Sequence, residues 1–178
     1  MDSRLRRWEL GGFLFTCAAG TLLHFAYEWS GENAVVGAFS AVNESVWEHM
    51  KLLFFPLFAA ALAEMAAVGD HFKGFWTAKA AGIGLGLLVI PAVHYTYTGA
   101  LGVSVMWVDI ALFYVAAAAA FLAETPLLLR QRQRSGGAQM AAMLLLWALA
   151  LLFVFFTYYP PHIPLFRDPT TMGYGLGK

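Results

Sequence analysis

Charged residues are scarce in this chain, and a single residue is a cysteine. Aspartate, glutamate, lysine and arginine together make up 12% of the 178 residues, about half of the fraction that soluble domains carry. Eleven basic and eleven acidic residues cancel to a formal net charge of zero, so no excess of positive charge favours a nucleic acid partner. Because Cys17 is the only cysteine, the chain has no internal disulfide.

The sequence contains long apolar runs with few charged residues. Hydrophobic residues make up 60% of the sequence, and runs of roughly 18 or more with few charges are typical of membrane-spanning helices. We therefore predict an all-α fold: a polytopic membrane helix bundle with five transmembrane helices, forming a single membrane domain over residues 1–178. The first run continues past Cys17 to a spanning length, so we expect a retained helix and not a cleaved signal. The predicted spans are about 8–27, 46–68, 75–97, 104–127 and 138–159, followed by a proline-rich tail at 160–178.

The basic residues alternate between the two sets of span ends. Eight of the eleven lie at the ends that include the N-terminus: Arg4, Arg6, Arg7, Lys73, Lys79, Arg130, Arg132 and Arg134. Lys51, Arg167 and Lys178 lie at the other ends. The positive-inside rule then predicts a cytoplasmic N-terminus and a C-terminus outside.

Histidines and carboxylates collect at the predicted outer ends. Four of the five histidines lie there or beyond, and the stretch NESVWEHMK at 43–51 opens the second span. We expect Asn43 to be its N-cap, with Glu44 in the first turn. Ionisable groups within a membrane usually face the bundle interior and mark function. The pattern predicts an outward-opening polar cavity with these candidate residues: His24, Glu28, Glu48, His49, His94 and Asp109.

Each of these residues also has an ordinary structural interpretation. Hydrogen bonds between helices would account for the histidines. Glu44, which is not among these candidates, is expected to be simply solvated. At the inner ends, Glu64 and Glu124 are expected to be interfacial residues or partners for Lys79.

Two further patterns concern packing. Gly82 and Gly86 form a pair of small residues four apart, which favours close helix–helix contact in lipid. In the tail, the prolines favour an extended segment, and its apolar residues favour folding back over the outer mouth as a lid. Arg167 would then meet one of the acids.

Several stretches together resemble a known family: LLHFAYEWSG, VGAFSAVNESVWEHMKLLFFP, HYTYTG and PPHIPLFRDP. The chain is similar to a family of small bacterial multi-pass membrane proteins known as domain of unknown function 6512. The resemblance covers nearly the whole chain and implies a multi-pass protein of the bacterial cytoplasmic membrane, without implying an activity. A looser likeness, in site chemistry only, is to membrane hydrolases such as alkaline ceramidases, which gather His, Asp and Ser around zinc. This chain has five spans where those enzymes have seven, and its last helix lacks their paired histidines.

The leading functional hypothesis is a metal-dependent hydrolase. His24 and His94, with a carboxylate from Glu28 or Asp109, would hold Zn²⁺ with one open position. Glu48 would act as general base on the zinc-bound water, and His49 as a further ligand or as a group polarising a substrate carbonyl. The substrate would be lipid-like or a small molecule from the outer leaflet. No H-E-x-x-H motif supports the assignment.

Two alternatives stay open at this point. The same residues can form the vestibule of a proton or metal-ion transporter, although the sequence has no polar trail through the middles of the third and fifth spans. The cluster can also be a hydrogen-bonded network that sets helix register in a structural or accessory subunit.

Overall fold

The structure, a computed structural model, describes residues 3–130 and 135–176. Within these ranges the chain is all-helical. The α-helices are α1 Ser3–Trp29, α2 Ala34–Gly37, α3 Val46–Val68, α4 Phe75–Leu101, α5 Met106–Leu129 and α6 Gly136–Tyr158. Short 3₁₀ turns follow α3 at Gly69–His71 and α6 at Pro164–Phe166.

Every helix except α2 is long and apolar enough to cross a membrane, which confirms the predicted all-helical fold with five candidate spans. The predicted second span has the bounds of α3, whereas α1 begins before the predicted first span and α4 extends beyond the third. Large apolar side chains such as Leu122 (76% exposed) and Leu151 (69% exposed) point outward. Such an apolar exterior suits lipid as the surrounding solvent.

Consecutive long helices run in opposite directions and give the bundle two chemically distinct ends. We call the end where α3 and α5 begin the tail end, because the C-terminal segment packs there. The opposite end, where α1 and α4 begin, is the N-terminal end. The described basic residues in the predicted inner set lie at the N-terminal end, and Arg132, Arg134 and Lys178 lie outside the described residues.

Serine, not asparagine, starts α3. The Ser45 hydroxyl accepts a hydrogen bond from the Glu48 amide (3.4 Å), as an N-cap does. The expectation of Asn43 as N-cap was wrong: its Oδ1 accepts from the Ser45 amide (2.9 Å) in a turn just before the helix. Glu44 therefore lies ahead of α3, in the connecting loop, and not in the first turn of the helix as expected.

The predicted small-residue contact joins α4 to α5. A Cβ atom on Gly82 would lie 2.6 Å from the Ala120 carbonyl oxygen, and one on Gly86 would lie 3.0 Å from that of Ala116. Backbones at this separation leave no room for a side chain, so the two helices pack as closely as the pattern predicted.

An apolar layer fills the middle of the bundle. Leu53, Phe54 and Leu57 on α3 are 0–3% exposed, and the Phe54 ring lies 5.0 Å from that of Phe153 on α6. The nearest charged side chains on α3 are Lys51 toward one end and Glu64 toward the other. They are thirteen residues apart, which is about 20 Å of helix. The layer thus separates two polar clusters, one at each end.

The tail folds back over the tail end, as its apolar residues predicted. Phe166 is 5% exposed, and its ring lies 4.7 Å from Trp47 and 5.3 Å from Phe156. The Asn43 side-chain amide donates a hydrogen bond to the Gly175 carbonyl (3.0 Å). These contacts fasten the segment after α6 to the start of α3.

Candidate functional site

Two histidines and a glutamate converge at the tail end. His24 comes from the last turns of α1, His49 from the first turn of α3, and Glu44 from the loop before α3. The Nε2 atom of His24 lies 3.7 Å from one carboxylate oxygen of Glu44, and the Nε2 atom of His49 lies 3.6 Å from the other. The two imidazole rings are 5.7 Å apart. Both histidines are partly buried, and the Glu44 side chain is half exposed.

The hydrogen bonding of His49 determines which ring nitrogen can bind a ligand. Its Nδ1 lies 2.9 Å from the Ser45 carbonyl oxygen. A carbonyl only accepts, so Nδ1 carries the proton, and in the neutral ring Nε2 keeps its lone pair. That lone pair faces the carboxylate of Glu44, which also only accepts. Two acceptors that face each other favour a cation between them.

His24 adds a buried polar atom without a partner. Its Nδ1 is buried and makes no hydrogen bond within the described part of the chain. Its Nε2 faces Glu44, as the Nε2 of His49 does. One ligand atom from each of His24, Glu44 and His49 lies within 4.8 Å of the other two. In tetrahedral zinc sites such atoms are about 3.4 Å apart, from metal–ligand distances near 2.1 Å. The two histidine–glutamate contacts, at 3.6–3.7 Å, are close to this separation.

A second pair, His94 and Asp109, joins α4 to α5. His94 Nδ1 lies 2.8 Å from Asp109 Oδ1, and the Ser104 hydroxyl donates to the other carboxylate oxygen at 2.8 Å. An ionised carboxylate only accepts, so the Nδ1 of His94 is its donor and Nε2 holds the lone pair. A carboxylate that holds histidine in this tautomer is the arrangement of general-base histidines.

Glu44 of the cluster and His94 of the pair line the same cavity. A cavity of about 250 Å³ is bordered by Glu44 and His94 together with residues of the folded-back tail, among them Arg167. Arg167 is exposed and forms no ion pair with Glu44 within the described residues. The cavity lining thus includes one member of each histidine-containing group, Glu44 and His94, together with Arg167 of the tail.

The predicted site residues divide into four groups, of which Glu48 with its lysine partner is the last. His24 and His49 lie together, and His94 and Asp109 lie together. Glu28 is exposed at the end of α1, outside the His24 cluster. The sequence-based hypothesis joined His24 and His94 to a carboxylate of Glu28 or Asp109, whereas among the described residues His24 lies with Glu44 and His49. Spacing within one helix could not identify Glu44, because it reaches the histidines from a loop.

Glu48, the predicted general base, is paired with a lysine. It is 2% exposed, and its Oε2 lies 2.5 Å from Lys51 Nζ and accepts from the Val42 amide. Lys51 is fully buried and also donates to the Gly37 carbonyl (2.8 Å) and to the Thr157 hydroxyl (2.7 Å). This pair ties the loop before α3 to α6 behind the His24 cluster.

The N-terminal end holds a different cluster. Lys79 binds three carboxylates, those of Glu9, Glu64 and Glu124. Its pairing with Glu64 and Glu124 matches one of the two expectations for these acids. The sequence analysis did not single out Glu9.

The fold and the tail-end geometry define a class: a multi-span helical bundle of membrane-protein type with a histidine–carboxylate cluster at one end. The chain belongs to a family of unknown function (DUF6512), whose model matches residues 1–176. This confirms the family resemblance seen in the sequence. Neither a comparison with curated proteins nor one with solved structures found a match.

Proposed function

We propose that this protein is a zinc-dependent hydrolase that acts at the tail end on a lipid-like substrate. His24, His49 and Glu44 would hold the ion and leave one position for water, since two histidines and a glutamate form a common catalytic zinc set. Zinc lowers the pKa of its bound water to about 7 and so supplies a hydroxide nucleophile at neutral pH.

His94 takes the role of general base in this proposal. Glu48, the sequence-based candidate, is engaged with Lys51, whereas His94 lines the cavity and is oriented by Asp109. His94 would accept a proton from the zinc-bound water as the oxygen bonds to the carbonyl carbon of an ester or amide. It would then return that proton to the leaving group as the acyl bond breaks.

Arg167 suggests which end of the substrate enters the cavity. Its guanidinium borders the cavity beside Glu44 and His94, where it can bind a phosphate or carboxylate of a polar headgroup. The apolar remainder of the substrate would stay in the surrounding lipid. Membrane lipids are therefore the proposed partners.

The observation that carries the proposal is the shared cavity. Glu44 of the candidate metal cluster and His94, the histidine that Asp109 orients, border one cavity of about 250 Å³. The apolar layer beneath it suits an enzyme closed at the midplane, since α3 carries no charged side chain over about 20 Å, between Lys51 and Glu64. For this reason we favour hydrolysis over transport.

The proposed location is the cytoplasmic membrane of a bacterium, with the tail end outside. The basic residues at the N-terminal end support this orientation, because the positive-inside rule places such ends in the cytoplasm. The substrate would then come from the outer leaflet.

Zinc content and hydrolysis, measured on the same preparations, test the proposal. The purified protein in mild detergent is stripped with a chelator, reloaded with zinc and assayed for bound metal by mass spectrometry. We expect near-stoichiometric zinc in the wild type and loss of zinc in His24→Ala and His49→Ala. His71→Ala, which changes an exposed histidine at the N-terminal end, is the matched control and should keep its zinc.

Asp109→Asn separates chemistry from metal binding. It should retain zinc but lower the hydrolysis of ester- and amide-linked lipids by about 10²–10⁴-fold, the range that general-base catalysis contributes. A wild type that binds no zinc would refute the metal site. Zinc binding without hydrolysis of any lipid in such a panel would refute the enzyme. Loss of zinc in Glu28→Gln but not in Glu44→Gln would favour the ligand set expected from the sequence.

A further inference from the structure

The cluster at the N-terminal end is buried and joins four helices. Glu9 of α1, Glu64 of α3 and Glu124 of α5 surround Lys79 of α4, with carboxylate oxygens 3.0, 2.6 and 2.6 Å from its Nζ atom. All four residues are at most 6% exposed. Each long helix except α6 thus contributes one charged side chain to a single point inside the bundle.

The charges at this point do not balance. Three ionised carboxylates against one ammonium leave a formal charge of minus two. At the tail end, by contrast, buried Glu48 and Lys51 match one to one. Uncompensated charge away from water is costly, and buried groups shed it by taking up or releasing protons.

The cluster also has fewer hydrogen-bond donors than carboxylate oxygens. Lys79 has three N–H donors, and each carboxylate receives one of them. The other oxygen of Glu64, Oε1, is buried and has no hydrogen-bond partner among the described residues. It belongs to the same carboxylate that binds Lys79 and therefore lies within the cluster.

The contacts of the Thr125 hydroxyl also require a proton beyond the one that the hydroxyl carries. Its hydroxyl oxygen lies 2.5 Å from Glu9 Oε2 and 2.7 Å from the Phe121 carbonyl oxygen. A hydroxyl has one proton and satisfies only one of these two acceptors. Threonine in a helix commonly donates to the carbonyl four residues earlier. The short contact with Glu9 is then satisfied by a proton on the carboxyl group.

We propose that Glu9, Glu64, Glu124 and Lys79 form a buried proton-binding site, which holds at least one proton at neutral pH. Among the described residues, the charged groups in contact at this point are these four, one each from α1, α3, α4 and α5, with the Thr125 hydroxyl beside Glu9. A metal ion would have to displace the Lys79 ammonium from the point where the carboxylates meet, whereas a proton needs no space of its own. The site lies beyond the zinc chemistry proposed for the tail end and does not depend on it.

Infrared spectroscopy tests the proposal directly, because a protonated carboxyl group has a C=O stretching band separate from the bands of carboxylates. The full-length protein in detergent or lipid is measured at neutral pH in H₂O and D₂O. We expect a carboxylic acid band in the wild type that shifts in D₂O and is lost or reduced in Glu64→Gln. Glu9→Gln and Glu124→Gln provide the same test if Glu64→Gln does not fold. Glu28→Gln, an exposed glutamate, is the matched control and should leave the band unchanged.

Two results would overturn the proposal. One is a wild-type spectrum without a carboxylic acid band at neutral pH, or with a band that all three cluster variants leave unchanged. The other is a bound metal ion that is lost in Glu64→Gln, since a cation other than the proton would then neutralise the site. Zinc held at the tail end would instead be retained in Glu64→Gln, so the two proposals fail separately.

Discussion

The two ends of this bundle hold ionisable groups in opposite surroundings. At the tail end, His24, His49 and Glu44 are partly exposed beside a cavity. At the N-terminal end, Lys79 and its three carboxylates are almost fully buried. An open site of neutral imidazoles and one carboxylate suits a ligand that enters from water, whereas a closed site with excess negative charge suits a proton.

The buried pair at the tail end sharpens this contrast. Lys51 and Lys79 are both buried lysines, but Lys51 has one carboxylate partner and two neutral acceptors. Its hydrogen bonds are satisfied and its charge is balanced, so the pair needs no further ligand. The surroundings of Lys51 and Lys79 therefore differ in the number of carboxylates and not in burial, since both lysines are at most 2% exposed.

The largest expected effect is that of Lys79→Met. Removing the ammonium leaves the buried carboxyl groups of Glu9, Glu64 and Glu124, of which the proposed site holds at least one protonated, without their cation, and breaking a buried ion pair in this way costs about 3–5 kcal/mol. We expect the free energy of unfolding, measured by denaturation in detergent, to fall by that amount. Lys73→Met, at an exposed lysine of the same end, should change it by less than about 0.5 kcal/mol. Equal effects in the two variants would show that the cluster contributes little to stability.

Zinc should stabilise the tail end by a smaller amount. A ligand that binds only the folded state at about 100 times its Kd adds roughly 2.7 kcal/mol. We expect the thermal unfolding temperature of the wild type to rise when zinc is added and that of His24→Ala to stay constant. A zinc-induced rise that His24→Ala retains, or that Glu64→Gln abolishes, would place the metal away from the tail end.

The α4–α5 contact supports the N-terminal cluster and gives a third comparison. In Gly82→Ala the new methyl would lie 2.6 Å from the Ala120 carbonyl oxygen and 2.7 Å from Glu124 Oε2. Such overpacking typically costs about 1–3 kcal/mol. Apart from its own helical turn, no described residue has an atom within 4 Å of the position that a Cβ on Gly84 would take, so Gly84→Ala should be neutral or stabilising by up to about 1 kcal/mol. If both variants unfold alike, the close helix contact does not hold in solution.

The smallest effect on stability is expected for Arg167→Ala. The side chain is exposed, and surface substitutions usually change the free energy of unfolding by less than about 0.5 kcal/mol. In the hydrolysis assay, however, the variant should raise KM for substrates with an anionic headgroup and leave neutral ones unaffected. A similar KM change for both kinds of substrate would exclude a role in headgroup recognition.

Local patterns predicted the helices well and the site partly. Apolar runs gave all five candidate spans, and the Gly82–Gly86 pair predicted the contact with α5. The histidines were correctly placed at one end, but their carboxylate partner was not identified. Glu44 lies in a loop, where no helical periodicity relates it to His24 or His49.

The sequence alone determined the class of fold and the end at which each charged residue lies. The length of each span and the position of each charge can be read along the sequence. Because helices that cross a membrane alternate in direction, these two properties determine the end at which a charge lies. Only the tertiary structure decided which charges meet: Glu44 with two histidines, His94 with Asp109, and Glu9 with Lys79. These contacts depend on how each helix is rotated about its axis and on the path of the loop before α3. Side-chain packing across the whole bundle determines both.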